Sequence, residues 1–266
     1  MAGPTMERPF EGRVAIVTGA SRGIGLAIAE RLVAQGANVV ITSRNADQLV
    51  AAQACIDAQG QVEIMPGHAA DAAHQAEVTA TAMERFGRID YLVNNAGINP
   101  SYGPLLDTEL EVVRKTYDTN VVAALAWVQH VHRAWMGANG GAILNVASIA
   151  ALLASGTYSA HKAWVRSFTE GLAVELTGSG VTATVLCPGF VHTEFHARGD
   201  IDVSAYPEIA WLNAEDVVAK GLADVRRGVV ISTPSVRYRT VAAVVRMSPR
   251  SAIRRVGRYR KAIEGA

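Results

Sequence analysis

Tyr158 and Lys162 stand four positions apart in the run Tyr158-Ser159-Ala160-His161-Lys162. On a helix, that spacing puts both side chains on one face. A phenol with its ordinary pKa of about 10 is a poor proton donor or acceptor near neutrality. A neighbouring ammonium favours the phenolate and lowers that value. Moving it by about three units requires roughly 4 kcal/mol of differential interaction. Activated in this way, Tyr158 could serve as a general acid or base at an oxygen atom. The pair alone is a common coincidence, so its neighbours matter. Ser148 lies ten residues earlier and offers a hydroxyl to an oxygen on which charge develops. Asn120 sits within a predicted helix, where an amide is an indifferent helix former.

The elements that must position these groups alternate along the chain. Short apolar runs at 13–18, 38–42, 61–65, 89–94, 142–146, 181–186 and 229–232 read as strands. Helical patterns fill 24–35, 46–58, 72–86, 109–136, 158–176 and 214–226, the last capped by Asn213. Strands buried on both faces and separated by helices predict a parallel sheet between two helical layers. Right-handed crossovers then give a doubly wound seven-stranded α/β sheet of Rossmann type. We expect one such domain over 12–233 and a basic helical extension over 234–266. The loop 189–212 falls outside the alternating pattern.

The first strand runs into Thr18-Gly19-Ala20-Ser21-Arg22-Gly23-Ile24-Gly25 and then a helix. Glycines there let the backbone approach a pyrophosphate, and the helix N-terminus stabilises its charge. The second strand ends in Thr42-Ser43-Arg44-Asn45, without the acid that would bond a ribose 2′-hydroxyl. Arg44 suits a 2′-phosphate, with Ser43 and Arg22 as further partners, so NADP (NADPH) is expected over NAD. At the end of the fourth strand, the small residues of Asn94-Asn95-Ala96-Gly97 would let a cofactor lie against the sheet's carboxyl edge.

With these residues in place, the chain resembles the short-chain dehydrogenase/reductase family from about Gly12 to Ser232. The matching motifs are TGASRGIG, NNAG, Asn120, Ser148, YSAHK and PGFVHT, in that order. The resemblance implies that Tyr158 is the acid/base and that Lys162 lowers its pKa and binds the nicotinamide ribose. Ser148 would orient the substrate oxygen, and Asn120 would hold a water in a relay with Lys162. Asp71 would meet the adenine edge and Asn94 the adenosine ribose. In the stretch from Pro188 and Gly189 onward, Val191 and Thr193 would contact the carboxamide. Two departures stand out. Many family members space the serine and the tyrosine thirteen positions apart, where this chain has ten. His161 replaces the usual serine, and no catalytic role is assigned to it.

No apolar run reaches the roughly 18 residues of a membrane span. The first thirteen residues lack the apolar core of a signal peptide. Cys55 and Cys187 read as buried free thiols in a reducing cytoplasm. His192, Glu194 and His196 alternate but read as a polar loop, and no metal set is expected. The net charge of +1 conceals an imbalance: residues 226–266 hold eleven Lys/Arg and one acid, Glu264. That segment carries +10 and the remaining chain −9. It could pack on the body or a neighbouring subunit, which is the preferred reading. It could otherwise attract anionic lipid or recognise an acidic substrate carrier. Nucleic acid is not expected, because no reading motif accompanies the charge.

Together these features predict an oxidoreductase that interconverts a small-molecule carbonyl and a secondary alcohol. The family often forms dimers or tetramers, so a homo-oligomer is expected. The apolar loop residues Phe190, Phe195, Tyr206 and Trp211 point to a lipid-like 3-oxoacyl or steroid-type substrate. The alternative from another class is a non-catalytic NADP(H)-sensing regulator on the same fold. The intact set of four polar residues argues against it, because a sensor needs only the cofactor half.

Overall fold

A computed structural model describes residues 8–56, 60–99, 106–154, 156–193 and 207–255. Of the residues named above, Glu194, Phe195, His196, Tyr206 and Glu264 lie outside it.

Val-, Ile- and Ala-rich strands build the centre. Strands β1 (Val14–Thr18), β2 (Asn38–Ser43), β3 (Val62–Pro66), β4 (Tyr91–Asn94), β5 (Gly141–Val146) and β6 (Val181–Leu186) are joined in one parallel sheet. After the two-residue strands β7 (Phe190–Val191) and β8 (Trp211–Leu212), the chain returns through β9 (Ile231–Ser232). The order β3-β2-β1-β4-β5-β6-β9 is the expected doubly wound, seven-stranded Rossmann-type sheet. It reverses direction between β1 and β4, which opens a crevice at the carboxyl edge. The contact register is continuous through β1, with Val14 opposite Asn38 on one side and Ala15 opposite Tyr91 on the other. Both faces are buried. One helical layer packs Ile28, Leu32, Val217 and Leu222 against Val17, Ile41 and Leu144. The other packs Val78, Trp127 and Val131 against Ile16, Leu92 and Ile143.

Helices α1 (Gly23–Ala34), α2 (Ala46–Ile56) and α3 (Ala72–Phe86) fall where the periodicity places them. The predicted helix 109–136 is less regular than expected. Here α4 covers 110–139, with π-helical turns at Asp118–Val122 and His132–Met136. Such insertions release backbone groups from the regular ladder and are frequent at functional sites. Helix α5 (Gly156–Glu175) begins two residues before Tyr158, and α6 (Ala214–Arg226) is capped by the Asn213 side chain, which accepts from Glu215 N–H at 2.7 Å.

Two expectations, on Cys55 and on the loop after β6, need correction. Cys55 is exposed, because it lies on the outward side of α2; only Cys187 is a buried thiol. The loop 189–212 is not wholly irregular, since β7 and β8 pair in parallel at its base. The basic extension begins with α7 (Val236–Met247), one side of which packs on the body through Tyr238 and Ala242. No helix among the described residues is long and apolar enough to cross a membrane.

Candidate active site

The phosphate end is built first from backbone. Gly19 N–H donates to Thr42 O at 2.7 Å, which ties the glycine turn to the end of β2. Gly19 has φ 65°, and a Cβ there would stand 2.8 Å from Ala96 Cα. At Gly25 a Cβ would stand 2.5 Å from Gly19 O. The turn therefore excludes side chains at both positions. Arg22 caps α1 in extended conformation with no side-chain hydrogen bond to the first turn, leaving the first backbone N–H groups directed outward. Ser21 and Ile24 complete the turn, and Gly23 lies beneath Thr193, 3.5 Å from its Cβ by the same measure.

Thr18 and Asn95 hold this turn against β4. The Thr18 hydroxyl oxygen accepts from the N–H groups of Asn95 and Ala96, each at 3.0 Å. Asn95 Nδ2 donates to Thr18 O and Gly19 O, each at 3.0 Å. Sequence reasoning assigned no role to either residue, although the doubled asparagine of NNAG was a signal.

At the adenosine side, Arg44 is exposed and makes no hydrogen bond or ion pair among the described residues. The Ser43 hydroxyl beside it is buried without a partner. Arg22 donates to Gln48 Oε1 at 3.3 Å. The Asp71 carboxylate accepts from Ala73 N–H at 2.9 Å and caps α3. His68 lies within the field of Arg44. Burial, then the positive charges of Arg44 and Lys115, hold its imidazole below the usual histidine pKa. Neither His68 nor Lys115 was legible, because lone polar residues in a loop and on a helix carry no pattern.

The Asn94 side chain points into the core, where Nδ2 donates to Asn145 Oδ1 at 2.9 Å and Ala124 O at 3.1 Å. Asn145 continues the chain to Thr169 Oγ1 at 2.9 Å. Asn94 thus braces β4 to β5. Its Oδ1, buried without a partner, borders a small cavity shared with Thr18, Ala96, Asn120 and Lys162.

Two of the catalytic candidates, Asn120 and Lys162, line that cavity. Lys162 is buried, and Nζ donates to Val146 O at 2.8 Å while standing 5.7 Å from the centre of the Tyr158 ring. Burial brings its ammonium pKa down to about 8. Asn120, in the first π-helical turn, clasps one backbone residue from both sides. Its Oδ1 accepts from Ile98 N–H and its Nδ2 donates to Ile98 O, each at 2.8 Å. Gly97 separates the two residues, and a Cβ there would lie 3.4 Å from Asn120 Oδ1 and 3.5 Å from Lys162 Nζ. Ser148 follows β5 by two residues and caps the 3₁₀ turn Ile149–Leu152, with Oγ accepting from Ala150 N–H at 3.1 Å. That turn and the early start of α5 accommodate the short Ser148–Tyr158 connection. His161 turns away, edge-on to Tyr117 at 5.8 Å.

The far wall is the loop after β6. Pro188 and Val191 are buried, and the Tyr238 ring lies so close over Gly189 that a Cβ would strike it. Tyr238 O–H donates to Ala210 O at 2.6 Å and accepts from Phe190 N–H at 3.2 Å, joining both sides of the loop's base. His192 stacks on Trp211 at 4.7 Å and meets Glu208 Oε1 at 3.0 Å. Tyr238 was not singled out from sequence, because nothing local links it to residues 28 and 48 positions away. Among the described residues no group of side chains could hold a metal ion.

Comparison with known proteins agrees with this geometry. The family model for short chain dehydrogenase matches residues 13–202. A dehydrogenase/reductase SDR family member 4 from Caenorhabditis elegans is 34% identical over 228 residues, covering 84% of this chain and 83% of its own. The human protein of that name is 35% identical over 198 residues, 73% of this chain and 71% of its own. Among solved structures, a Burkholderia cenocepacia short chain dehydrogenase in complex with NADP is 33% identical. It has a TM-score of 0.73 and covers 84% of this chain and 96% of its own. A Burkholderia phymatum short chain dehydrogenase/reductase in complex with NAD is 25% identical. Its TM-score is 0.79, covering 91% of this chain and 94% of its own.

Proposed function

The chain belongs to the short-chain dehydrogenase/reductase family of oxidoreductases, and from that premise we propose that it is an NADP(H)-dependent enzyme interconverting a carbonyl and a secondary alcohol. The observation that carries this reading is that Asn120 and Lys162 both stand against Gly97, with Lys162 Nζ 5.7 Å from the Tyr158 ring, beside a cradle that excludes side chains at Gly19 and Gly25. That cradle and the orphaned Ser43 hydroxyl fit a dinucleotide phosphate. The α1 N-terminus and Ser21 would receive the pyrophosphate, Arg44 and Ser43 the 2′-phosphate, Lys162 the nicotinamide ribose, and Val191 and Thr193 the carboxamide. When bound, the cofactor supplies or accepts the hydride.

The protein's own residues handle the proton and the oxygen. Ser148 donates its hydroxyl hydrogen to the carbonyl oxygen while Oγ remains anchored by Ala150 N–H. Tyr158 gives its proton to that oxygen in reduction and removes it in oxidation. The Lys162 ammonium favours the phenolate left behind. A water in the cavity between Asn94, Asn120 and Lys162 returns the proton. The half-buried rings of Phe190 and Trp211, 5.5 Å apart at the loop's base, favour a bulky apolar carbonyl compound of the 3-oxoacyl or steroid type.

The test is turnover of a carbonyl panel with NADPH and with NADH, for the wild type and Tyr158→Phe. The expected result is oxidation of NADPH in preference to NADH. The variant should lose on the order of 100- to 10,000-fold in rate while keeping NADPH affinity. Preference for NADH would overturn the cofactor assignment, and an active Tyr158→Phe enzyme would overturn the mechanism.

A further inference from the structure

Helix α7 has two sides of different character. Tyr238, Ala242 and Val245, at i, i+4 and i+7, face the body, and Ala242 is 6% exposed. The outward side carries Val236, Thr240, Ala243, Val244 and Met247, at i, i+4, i+7, i+8 and i+11. Val236, Val244 and Met247 are 67%, 58% and 87% exposed. Arg239 and Arg246 flank this apolar strip on one edge, and Arg237 flanks it on the other. Arg250, Arg254 and Arg255 follow, all exposed, while Ile253 is buried and keeps this second turn against the protein. No acid occurs from 225 to 263, and none of Arg239, Arg246, Arg250, Arg254 and Arg255 has an ion-pair partner among the described residues. The described part of the extension therefore packs on the body without pairing these arginines there.

We propose that the outward face of α7 and the arginines after it form a docking surface for an anionic lipid bilayer. An exposed apolar strip bordered by arginines, on a helix held by its opposite side, is the arrangement that settles into a headgroup layer. The apolar side chains enter the acyl boundary while the guanidinium groups meet lipid phosphates. One strip of a twelve-residue helix is narrow beside the roughly 800 Å² per partner of a standard protein interface, whereas a bilayer needs no matching relief. The same helix staples the base of the 189–212 loop through Tyr238, and the Arg237 guanidinium bonds Ile209 O. Docking would therefore place the base of that loop beside the lipid surface. The proposal stands independently of the reaction assigned above.

Sedimentation of the full chain with vesicles tests it. One vesicle set is phosphatidylcholine alone and the other is phosphatidylcholine mixed with phosphatidylglycerol. The variants are R239S/R250S/R254S and V244S/M247S, each checked for an unchanged thermal melt. The wild type is expected to pellet with the phosphatidylglycerol vesicles at low salt and to stay in solution with phosphatidylcholine. Removing three arginines should lower partitioning on the order of 100-fold. Raising salt to about 1 M, where the Debye length is about 3 Å, should release the protein. V244S/M247S should weaken binding at both salt levels. Wild type that remains in solution with anionic vesicles overturns the proposal, as does equal pelleting by neutral vesicles or full binding by the triple variant. A soluble oligomer that the same substitutions dissociate, with no vesicle binding, would assign the face to a second copy of the chain and also overturn it.

Discussion

The two ends of the crevice are held by different means. At the phosphate end, Thr18, Gly19, Asn95 and Ala96 are locked by four hydrogen bonds that involve backbone atoms of adjacent sheet strands. At the substrate end, the loop after β6 is held by a two-residue strand pair, one phenol from α7 and the exposed His192–Glu208 contact. The first end is a property of the sheet. The second depends on a helix that arrives from the far end of the described chain. Rigidity therefore belongs to cofactor binding, and adaptability to the substrate side.

Lys162 lies between the two ends, and its substitution has the largest expected effect. Lys162→Met should reduce turnover on the order of 100- to 10,000-fold in a steady-state assay. Its stability should move the other way. An ammonium whose pKa falls from 10.5 to about 8 on folding opposes folding while it is charged. That opposition, about 3 kcal/mol, is complete below pH 8 and fades as pH rises from 8 towards 10.5. The variant should therefore melt above the wild type at pH 7, with the gap narrowing at alkaline pH. A lower melting temperature would show that the Val146 hydrogen bond outweighs the buried charge.

Arg44→Ala sharpens the comparison at the phosphate end. NADPH affinity should drop roughly 10- to 100-fold by fluorescence titration, with NADH affinity unchanged. Asn95→Ala removes the donors to Thr18 O and Gly19 O. It should weaken both cofactors about 10-fold and lower the melting temperature. An unchanged affinity for both cofactors would mean that the glycine turn holds its shape without the asparagine.

The smallest effect belongs to Tyr238→Phe, which keeps the ring over Gly189 but loses both hydrogen bonds. KM for the carbonyl substrate should rise about threefold, while the NADPH dissociation constant stays within about twofold. Equal changes in both constants would break the division into two ends.

Much of the phosphate end was legible because its residues are consecutive. A glycine-rich turn must follow the first strand and open the first helix, so strand, motif and helix share one short stretch. Tyr158 and Lys162 were legible through their i,i+4 spacing on one helix. The intramolecular bonds of Asp71 and Asn94 were not legible, because both stand close to the crevice in sequence while their side chains also answer local demands. One caps α3, and the other fills a buried polar chain to Asn145 and Thr169. A motif names a residue but does not say which way its side chain points.

The sequence by itself determined the alternation of strands and helices, hence the doubly wound sheet and the edge at which the polar residues gather. Periodicity and turn chemistry are local, and seven buried strands have few ways to be connected. Only the tertiary structure decided that Lys162 is buried against Val146 O, that Asn120 clasps Ile98, and that His68 joins Arg44. It also decided that Tyr238 closes the loop beside Phe190 and Ala210. Each of these rests on contact between segments far apart in the chain, where distance and burial are set by packing and leave no periodic trace in the residues themselves.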